Sequence, residues 1–240
     1  DYKYKAAIFD MDGTILDTIE DITDSLNCAL ARFGRRADYT VRETRLFFGS
    51  GARVAVTRAL SMEAGESTET MLRIGTPKDC SAIDSNDDTV TEILDFYKDY
   101  YETHCAIKTA SYPGIGELLQ KLSADGIKTA VVSNKPDPAV QNLCRVHFPG
   151  LFSYAAGEKD GIPRKPAPDM IYKVLTALSV SSEEAVYIGD SEVDIETANR
   201  SGLDCISVSW GFRSEDYLAA NGATTIAGSC AALLACIAER

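Results

Sequence analysis

Lys5-Ala6-Ala7-Ile8-Phe9-Asp10-Met11-Asp12-Gly13 is the stretch whose reading decides the fold. A short apolar run that breaks into Asp-x-Asp-Gly reads as a buried strand entering a turn, and it leaves two aspartates at the strand's carboxyl end. The period then changes. Ile19, Ile22, Leu26, Ala29, Leu30 and Phe33 recur at helical spacing, with Asp17 or Thr18 as N-cap and Gly34 as the stop. Helical patterns continue at 40–47, 52–60, 66–73 and 87–104, and no convincing strand falls between 17 and 106. Beyond Pro113-Gly114, helices at 114–124, 137–147, 168–178 and 191–200 alternate with strands at 127–132, 153–156, 185–189 and 204–208. Such alternation predicts an α/β fold, a doubly wound parallel sheet with helices on both faces. The strand at 5–9 finds no partner in the helical block, so it must join the later sheet. The expected organisation is a core of residues 1–16 and 107–240, interrupted by a small all-helical domain at 17–106.

At 240 residues the chain suits one large domain or two modest ones, at about 150 residues per domain. Apolar residues at 45% and charged residues at 25% are ordinary for a globular protein and exclude collagen, coiled coil and general disorder. The 24 Lys and Arg against 36 Asp and Glu give a net charge of -12, which argues against a nucleic-acid surface or an anionic membrane face. An anionic ligand would need local positive charge. No apolar run approaches the roughly 18 residues of a membrane span, and the start Asp1-Tyr2-Lys3-Tyr4-Lys5 lacks the apolar core of a signal peptide, so the chain reads as cytoplasmic. Seven scattered cysteines, never spaced as CxxC, read as free thiols. With only His104 and His147 present, a histidine-rich zinc site is not expected.

Open parallel sheets bind ligands beyond the carboxyl ends of their strands. The residues there are Asp10, Asp12 and Gly13 after the first strand, Ser133, Asn134 and Lys135 after the second, and Asp190 and Asp194 after Ala185-Val186-Tyr187-Ile188-Gly189. Lys165 lies in a loop, in Lys165-Pro166-Ala167-Pro168. Asp10 and Asp12 can converge if the chain between them stays extended. Together with Asp190 they would repel unless a cation intervened, and oxygen-only donors point to a hard ion, Mg²⁺. Gly13-Thr14 offers successive N–H groups as an anion nest, Ser133 adds a hydroxyl, and Lys165 adds fixed charge. This is equipment for phosphoryl transfer.

Plainer readings stand beside each of these. An isolated Asp-x-Asp is usually a turn; Asp190-Ser191 can cap the helix at 191; Asp194 can be a solvated acid in its first turn; Ser133 can cap the helix after Pro136; Lys165 can be a loop charge. Gly49-Ser50-Gly51 reads either as a ligand-facing segment or as an interhelical turn. Arg53, a candidate substrate contact, has the same plain reading as Lys135 and Arg213, an exposed helix residue. The acidic tract 63–88 reads as solvated surface, and Tyr97, Tyr100 and Tyr101 read as packing. The sharp readings gain weight together, because all four segments fall on one edge of one sheet.

DMDGTILDT (10–18), SNK (133–135), KPAP (165–168) and GDSEVD (189–194), in that order, resemble the four signature motifs of the haloacid dehalogenase superfamily. The helical insertion resembles its small C1-type cap. IEDITDSLN (19–27), FFGSGARVAVTRAL (47–60) and WGFR (210–213) look like the phosphoglycolate phosphatase group within it. The resemblance implies a Mg²⁺-dependent phosphatase acting on a small phosphorylated metabolite through an aspartyl-phosphate. Asp10 would be the nucleophile and Asp12 the acid/base. Mg²⁺ would be held by the Asp10 carboxylate, the Asp12 carbonyl and Asp190, with Asp194 as ligand or supporting partner. Ser133, Lys165 and the backbone around Gly13 and Asn134 would hold the phosphoryl oxygens; Thr14, Gly49, Ser50, Gly51 and Arg53 complete the candidate substrate- and phosphate-binding residues. Asp12 counts against dehalogenation in this family, and the absence of lysine from Ala6 through Pro77 counts against a Schiff-base lysine over most of the cap. The β-phosphoglucomutase relatives use a histidine early in the cap, whereas the first histidine here is His104. Pyrophosphatase and 5'-nucleotidase activities of the same fold stay open as alternatives, and a phospho-accepting receiver module is the alternative of another class.

Overall fold

A computed structural model describes residues 2–238; Asp1, Glu239 and Arg240, counted above with the core, lie outside the described residues. In chain order the elements are β1 (Ala6–Phe9), β2 (Leu16–Asp17), α1 (Ile19–Arg32), α2 (Val41–Phe47), α3 (Ala52–Glu63), α4 (Thr68–Arg73), α5 (Asp88–His104) and β3 (Ala110–Ser111). They continue with α6 (Ile115–Ala124), β4 (Lys128–Pro136), α7 (Asp137–His147), β5 (Tyr154–Glu158), α8 (Asp169–Leu178), β6 (Ala185–Gly189), α9 (Glu192–Ser201) and β7 (Asp204–Val208). The chain closes with α10 (Glu215–Ala220), β8 (Ile226–Ala227) and α11 (Cys230–Ala238). Two compact units result, one made of the chain through Asp17 together with the chain from Ala110 onward, the other of Thr18–Thr109. No helix of the described residues is long and apolar enough to cross a membrane. All seven cysteines are free thiols.

The first unit is built on a six-stranded sheet in the order β5-β4-β1-β6-β7-β8, with every pairing parallel. β1 is buried along its whole length, as expected of a central strand covered on both faces. The chain winds from β1 outward through β4 and β5, then returns to β6 and runs the other way, so the winding direction switches beside β1. Register fixes what meets there. Phe9 pairs with Val131 on one side and Ile188 on the other, which sets Asp10 level with Val132 and Gly189 and brings Ser133 and Asp190 to the same edge.

Two readings change at this edge. β4 runs to Pro136 rather than ending at 132, with an irregularity between Val132 and Pro136, so Ser133, Asn134 and Lys135 lie in the strand and not in a loop or helix. Backbone pairing of Pro136 with Glu158 on β5 carries the strand past the apolar run that marked it in the sequence. The segment after 208, left without assignment above, adds α10, β8 and α11, short elements whose signal is slight.

The second unit packs five helices. Thr18 occupies the N-cap position of α1 without a side-chain cap bond, and Gly34 follows the helix with φ +66°. Tyr97 and Tyr101 are buried and stacked at 5.4 Å, in keeping with a packing role. Asp21, in the first turn of α1, is buried, and its carboxylate accepts from the N–H groups of Lys108 and Thr109 and the Thr109 hydroxyl, each at 2.8 Å. Asp21→Ala leaves these donors without their acceptor, and we expect a loss of about 2 kcal/mol in urea unfolding. A change below about 0.5 kcal/mol would show that water replaces the carboxylate.

Candidate active site

Three carboxylates, from Asp10, Asp190 and Asp194, present oxygens that all lie within 4.8 Å of one another. Lys165 stands among them. Its side chain is 1% exposed, and its Nζ lies 3.1 Å from Asp10 Oδ1, 3.1 Å from Asp194 Oδ1 and 2.6 Å from the Tyr187 hydroxyl. The loop-charge reading of Lys165 is therefore corrected: the main chain around it is clamped by the Asn134 side-chain amide, which donates to Lys165 O at 2.9 Å and accepts from Lys165 N at 2.8 Å.

Asp190 leaves the end of β6 with its carboxylate held by Phe212 N–H at 2.7 Å and the Thr14 hydroxyl at 3.3 Å. Asp194 enters from the first turn of α9. Its Oδ1 accepts from Lys165 and Tyr187, and its Oδ2 from Asp190 N, Ser191 N and the Ser191 hydroxyl, so five donors surround one buried carboxylate. The solvated-acid reading of Asp194 is overturned. Ser191 does sit at the N-cap of α9, so helix capping and site building coexist. Two glycines make the closeness possible. A Cβ on Gly189 would lie 2.2 Å from Asp194 Cγ, and one on Gly13 would lie 2.1 Å from Asp190 Oδ2, where φ is already +80°.

Asp12 departs from the expected convergence. After Met11 the chain turns instead of staying extended, with Met11 O accepting from Thr14, Ile15 and Leu16, and the Asp12 carboxylate pairs with Lys135 Nζ at 2.9 Å outside the three-carboxylate group. The same turn corrects the nest reading. Gly13 N donates to Leu16 O at 3.0 Å and Thr14 N to Met11 O at 3.1 Å, so both N–H groups serve the turn. Ser133 is buried and its oxygen accepts from Lys135 N at 3.1 Å; it does not cap α7, whose N-cap is Pro136. Lys135 and Arg213 are buried rather than exposed, Lys135 against Asp12 and Arg213 against Glu192 at 3.0 Å.

The remaining sequence candidates belong to the helical unit. Gly49, Ser50 and Gly51 link α2 to α3, with φ of +124° at Gly49 and +94° at Gly51 and with Ser50 buried. Arg53 is half-buried, not exposed, and its Nη1 donates to Ser85 O at 2.8 Å and Thr91 Oγ1 at 3.1 Å. These bonds tie α3 to α5 and to the segment before it. Arg53→Ala is expected to lower kcat/KM for phosphoglycolate and for an aryl phosphate by the same factor, along with Tm; a loss confined to phosphoglycolate would restore a substrate contact.

Charge is the dominant energetic feature. Three carboxylates gathered near one ammonium, which bonds to Asp10 and Asp194, leave the cluster two positive charges short if all are ionised. Burial, followed by the charge of Asp194, pushes Asp10 up to about 7. Burial, with Asp10 and Asp194 adding to it, holds Asp190 well above the ordinary carboxylate range. Burial works against the charge on Lys165, yet Asp10 and Asp194 outweigh it and raise the ammonium above the ordinary lysine range. A set of crowded, desolvated, oxygen-only donors short of positive charge fits a hard divalent cation.

The model of the haloacid dehalogenase-like hydrolases matches residues 7–208 of this chain, covering all four segments that build the site. The chain belongs to the haloacid dehalogenase-like hydrolase family. Among the relatives of this hydrolase, a phosphoglycolate phosphatase of Psychrobacter arcticus is 30% identical over 85% of this chain and 83% of its own length. Phosphoglycolate phosphatase 1 of Pseudomonas aeruginosa is 27% identical over 97% and 79% respectively. A crystal structure of a phosphoglycolate phosphatase candidate from Lactobacillus delbrueckii subsp. bulgaricus is 50% identical, superposes with a TM-score of 0.95, and covers 99% of this chain and 100% of that one. Within the haloacid dehalogenase-like hydrolases the chain thus sits with the phosphoglycolate phosphatase-like group.

Sequence reasoning missed several groups in this hydrolase's site: the Tyr187 hydroxyl, Lys135 as partner of Asp12, the Asn134 clamp and the Phe212 N–H. Tyr187 could have been noticed as a hydroxyl inside an otherwise apolar strand. The Phe212 contact spans 22 residues and carries no local signal.

Proposed function

We propose that the chain hydrolyses small phosphate monoesters, phosphoglycolate first among them, through an aspartyl-phosphate on Asp10. The observation that carries this reading is Lys165 bonded to both Asp10 and Asp194 beside Asp190, a buried cation aimed at the carboxylate that would attack phosphorus. Asp10 forms a bond to phosphorus as the ester oxygen leaves with a proton from Asp12. Asp12 then takes a proton from water, the resulting hydroxide attacks the same phosphorus, and the Asp10 carboxylate is released with inorganic phosphate. Lys165 and Ser133 hold the phosphoryl oxygens. Asp10, Asp190 and the Asp12 carbonyl would hold Mg²⁺, which when bound supplies positive charge to the crowded carboxylates and the phosphoryl group. Asp194, with five donors already on it, serves by fixing Lys165 and the start of α9. Cytoplasmic residence follows the same reading.

Phosphate release from phosphoglycolate, pyrophosphate, a 5'-nucleotide and a hexose phosphate, with and without Mg²⁺, tests the proposal. Phosphoglycolate should lead in kcat/KM by about ten-fold or more. A higher value for any of the other three would reassign the substrate. Conversion of one hexose phosphate into its isomer without phosphate release would replace hydrolysis by mutase chemistry.

A further inference from the structure

Tyr187 lies on β6, wholly buried, in an apolar cluster that includes Ile8, Val132, Ala198 and Leu203. Ring packing in such a place requires no hydroxyl. A phenylalanine would fill the space, and a buried hydroxyl is costly unless it finds partners. Its partners are Lys165 Nζ at 2.6 Å and Asp194 Oδ1 at 2.9 Å. Chemistry fixes the direction of both bonds. An ammonium can only donate and an ionised carboxylate can only accept, so the hydroxyl oxygen accepts from Lys165 while its single hydrogen goes to Asp194. Lys165, Tyr187 and Asp194 close a triangle, because Lys165 Nζ also lies 3.1 Å from Asp194 Oδ1. The third N–H of the ammonium faces Asp10 Oδ1 at 3.1 Å.

We infer that Tyr187 is a positioning residue for Lys165: with Asp194 it takes up two N–H groups of the ammonium and leaves the third, on the Asp10 side, to meet a phosphoryl oxygen. The inference rests on the role proposed above for Lys165. A long flexible side chain emerging from an irregular segment is anchored at its main chain by Asn134 and at its tip by a rigid central strand. Without the hydroxyl the ammonium keeps its charge but loses its orientation, and Asp194 loses a donor. The transition state, whose phosphoryl oxygens need a donor in one direction, suffers more than ground-state binding does.

Tyr187→Phe tests this. With Mg²⁺, and at a temperature well below its Tm, kcat should fall about 30-fold with KM within about three-fold of wild type. The loss should be equal for phosphoglycolate and p-nitrophenyl phosphate, since the group acts on the transferring phosphoryl and not on the leaving group. A purely structural contribution is separated by a double-mutant cycle read as orthovanadate affinity. Tyr187→Phe should weaken vanadate about 30-fold in the wild type and less than two-fold in Lys165→Met. Equal losses in both backgrounds, or no loss in the wild type, overturn the inference. Vanadate binding needs no turnover, so if none of the esters is hydrolysed the phosphatase reading fails while this cycle still decides the role of Tyr187. Should Tyr187→Phe not fold, protein labelled with ¹³C at tyrosine Cζ gives a second measurement. The Tyr187 resonance should shift in Lys165→Met, and an unmoved resonance would show that the hydroxyl does not sense the ammonium.

Discussion

Asp10→Asn is expected to give neither turnover nor covalent phosphate, whereas Asp12→Asn should slow both halves of the reaction and, with an aryl phosphate, recover part of the first half while the second stays slow. The geometry separates the two residues clearly. Asp10 sits with Asp190, Asp194 and Lys165, where a carboxylate attacking phosphorus has an ammonium beside it; an amide there is a poor nucleophile. Asp12 lies outside that group against Lys135, two residues further along a turn, and in the proposed mechanism it exchanges protons and does not bond phosphorus. General acid or base catalysis is worth typically 10²–10⁴-fold per step, and in the proposed mechanism Asp12 would serve twice. With an ester whose leaving group needs protonation both halves slow. With p-nitrophenyl phosphate the first half recovers, because the phenolate departs unaided, while attack by water stays slow. Aspartyl-phosphate should then accumulate in Asp12→Asn and register as one added phosphate in rapid-quench intact-mass measurements. Residual turnover with no covalent phosphate, or phosphate on a residue other than Asp10, would refute this division of labour.

Removal of divalent metal is expected to abolish hydrolysis and to leave a protein whose stability falls as pH rises. Asp10 is pushed by burial, and next by Asp194, from the ordinary aspartate range to about 7, and Asp190 is raised as well. Between those limits the folded protein keeps a proton that the unfolded chain has lost. The stabilisation is therefore full below the unfolded pKa and disappears as pH climbs through about 7. Metal-free protein should melt at a lower temperature at about pH 8 than at about pH 5.5. Mg²⁺ binds the ionised carboxylates, so it should raise Tm at the higher pH by roughly 5 °C or more and have a smaller effect at the lower one. Scanning calorimetry after exhaustive chelation, with Mg²⁺ returned at each pH, measures both quantities. An equal shift at the two pH values would separate metal binding from the ionisation of this cluster, and full turnover after chelation would remove the metal from the proposal.

Much of the molecule was legible from local pattern. β1 announced itself through KAAIF, because a strand covered on both faces must be continuously apolar, and α1 through Ile19, Ile22 and Leu26, because one helical face must be buried. Four chemically unusual segments spaced along the chain could be assigned to one sheet edge, since parallel strands deliver their carboxyl ends to the same side. Contacts across many residues resisted this treatment. Lys135 looked like a surface residue because lysine usually is one; its burial becomes visible only when β4 runs past its apolar run and sets the ammonium against Asp12.

The sequence by itself determined most of the elements up to residue 208, their alternation and the run of helices that interrupts it, and it marked Asp10, Asp12, Ser133, Lys165, Asp190 and Asp194 as candidates for one site, because each of these follows from periodicity or from which functional groups stand next to strand ends. Tertiary structure alone decided how that set divides. The tight turn after Met11 uses the N–H groups of Gly13 and Thr14 for itself, and the Asp12 carboxylate pairs with Lys135. Glycine at 189 lets Asp194 approach the end of β6, where Lys165 and Tyr187 bond to it. A carboxylate's role depends on which donors reach it and how much water remains, and both are set by neighbours distant in sequence.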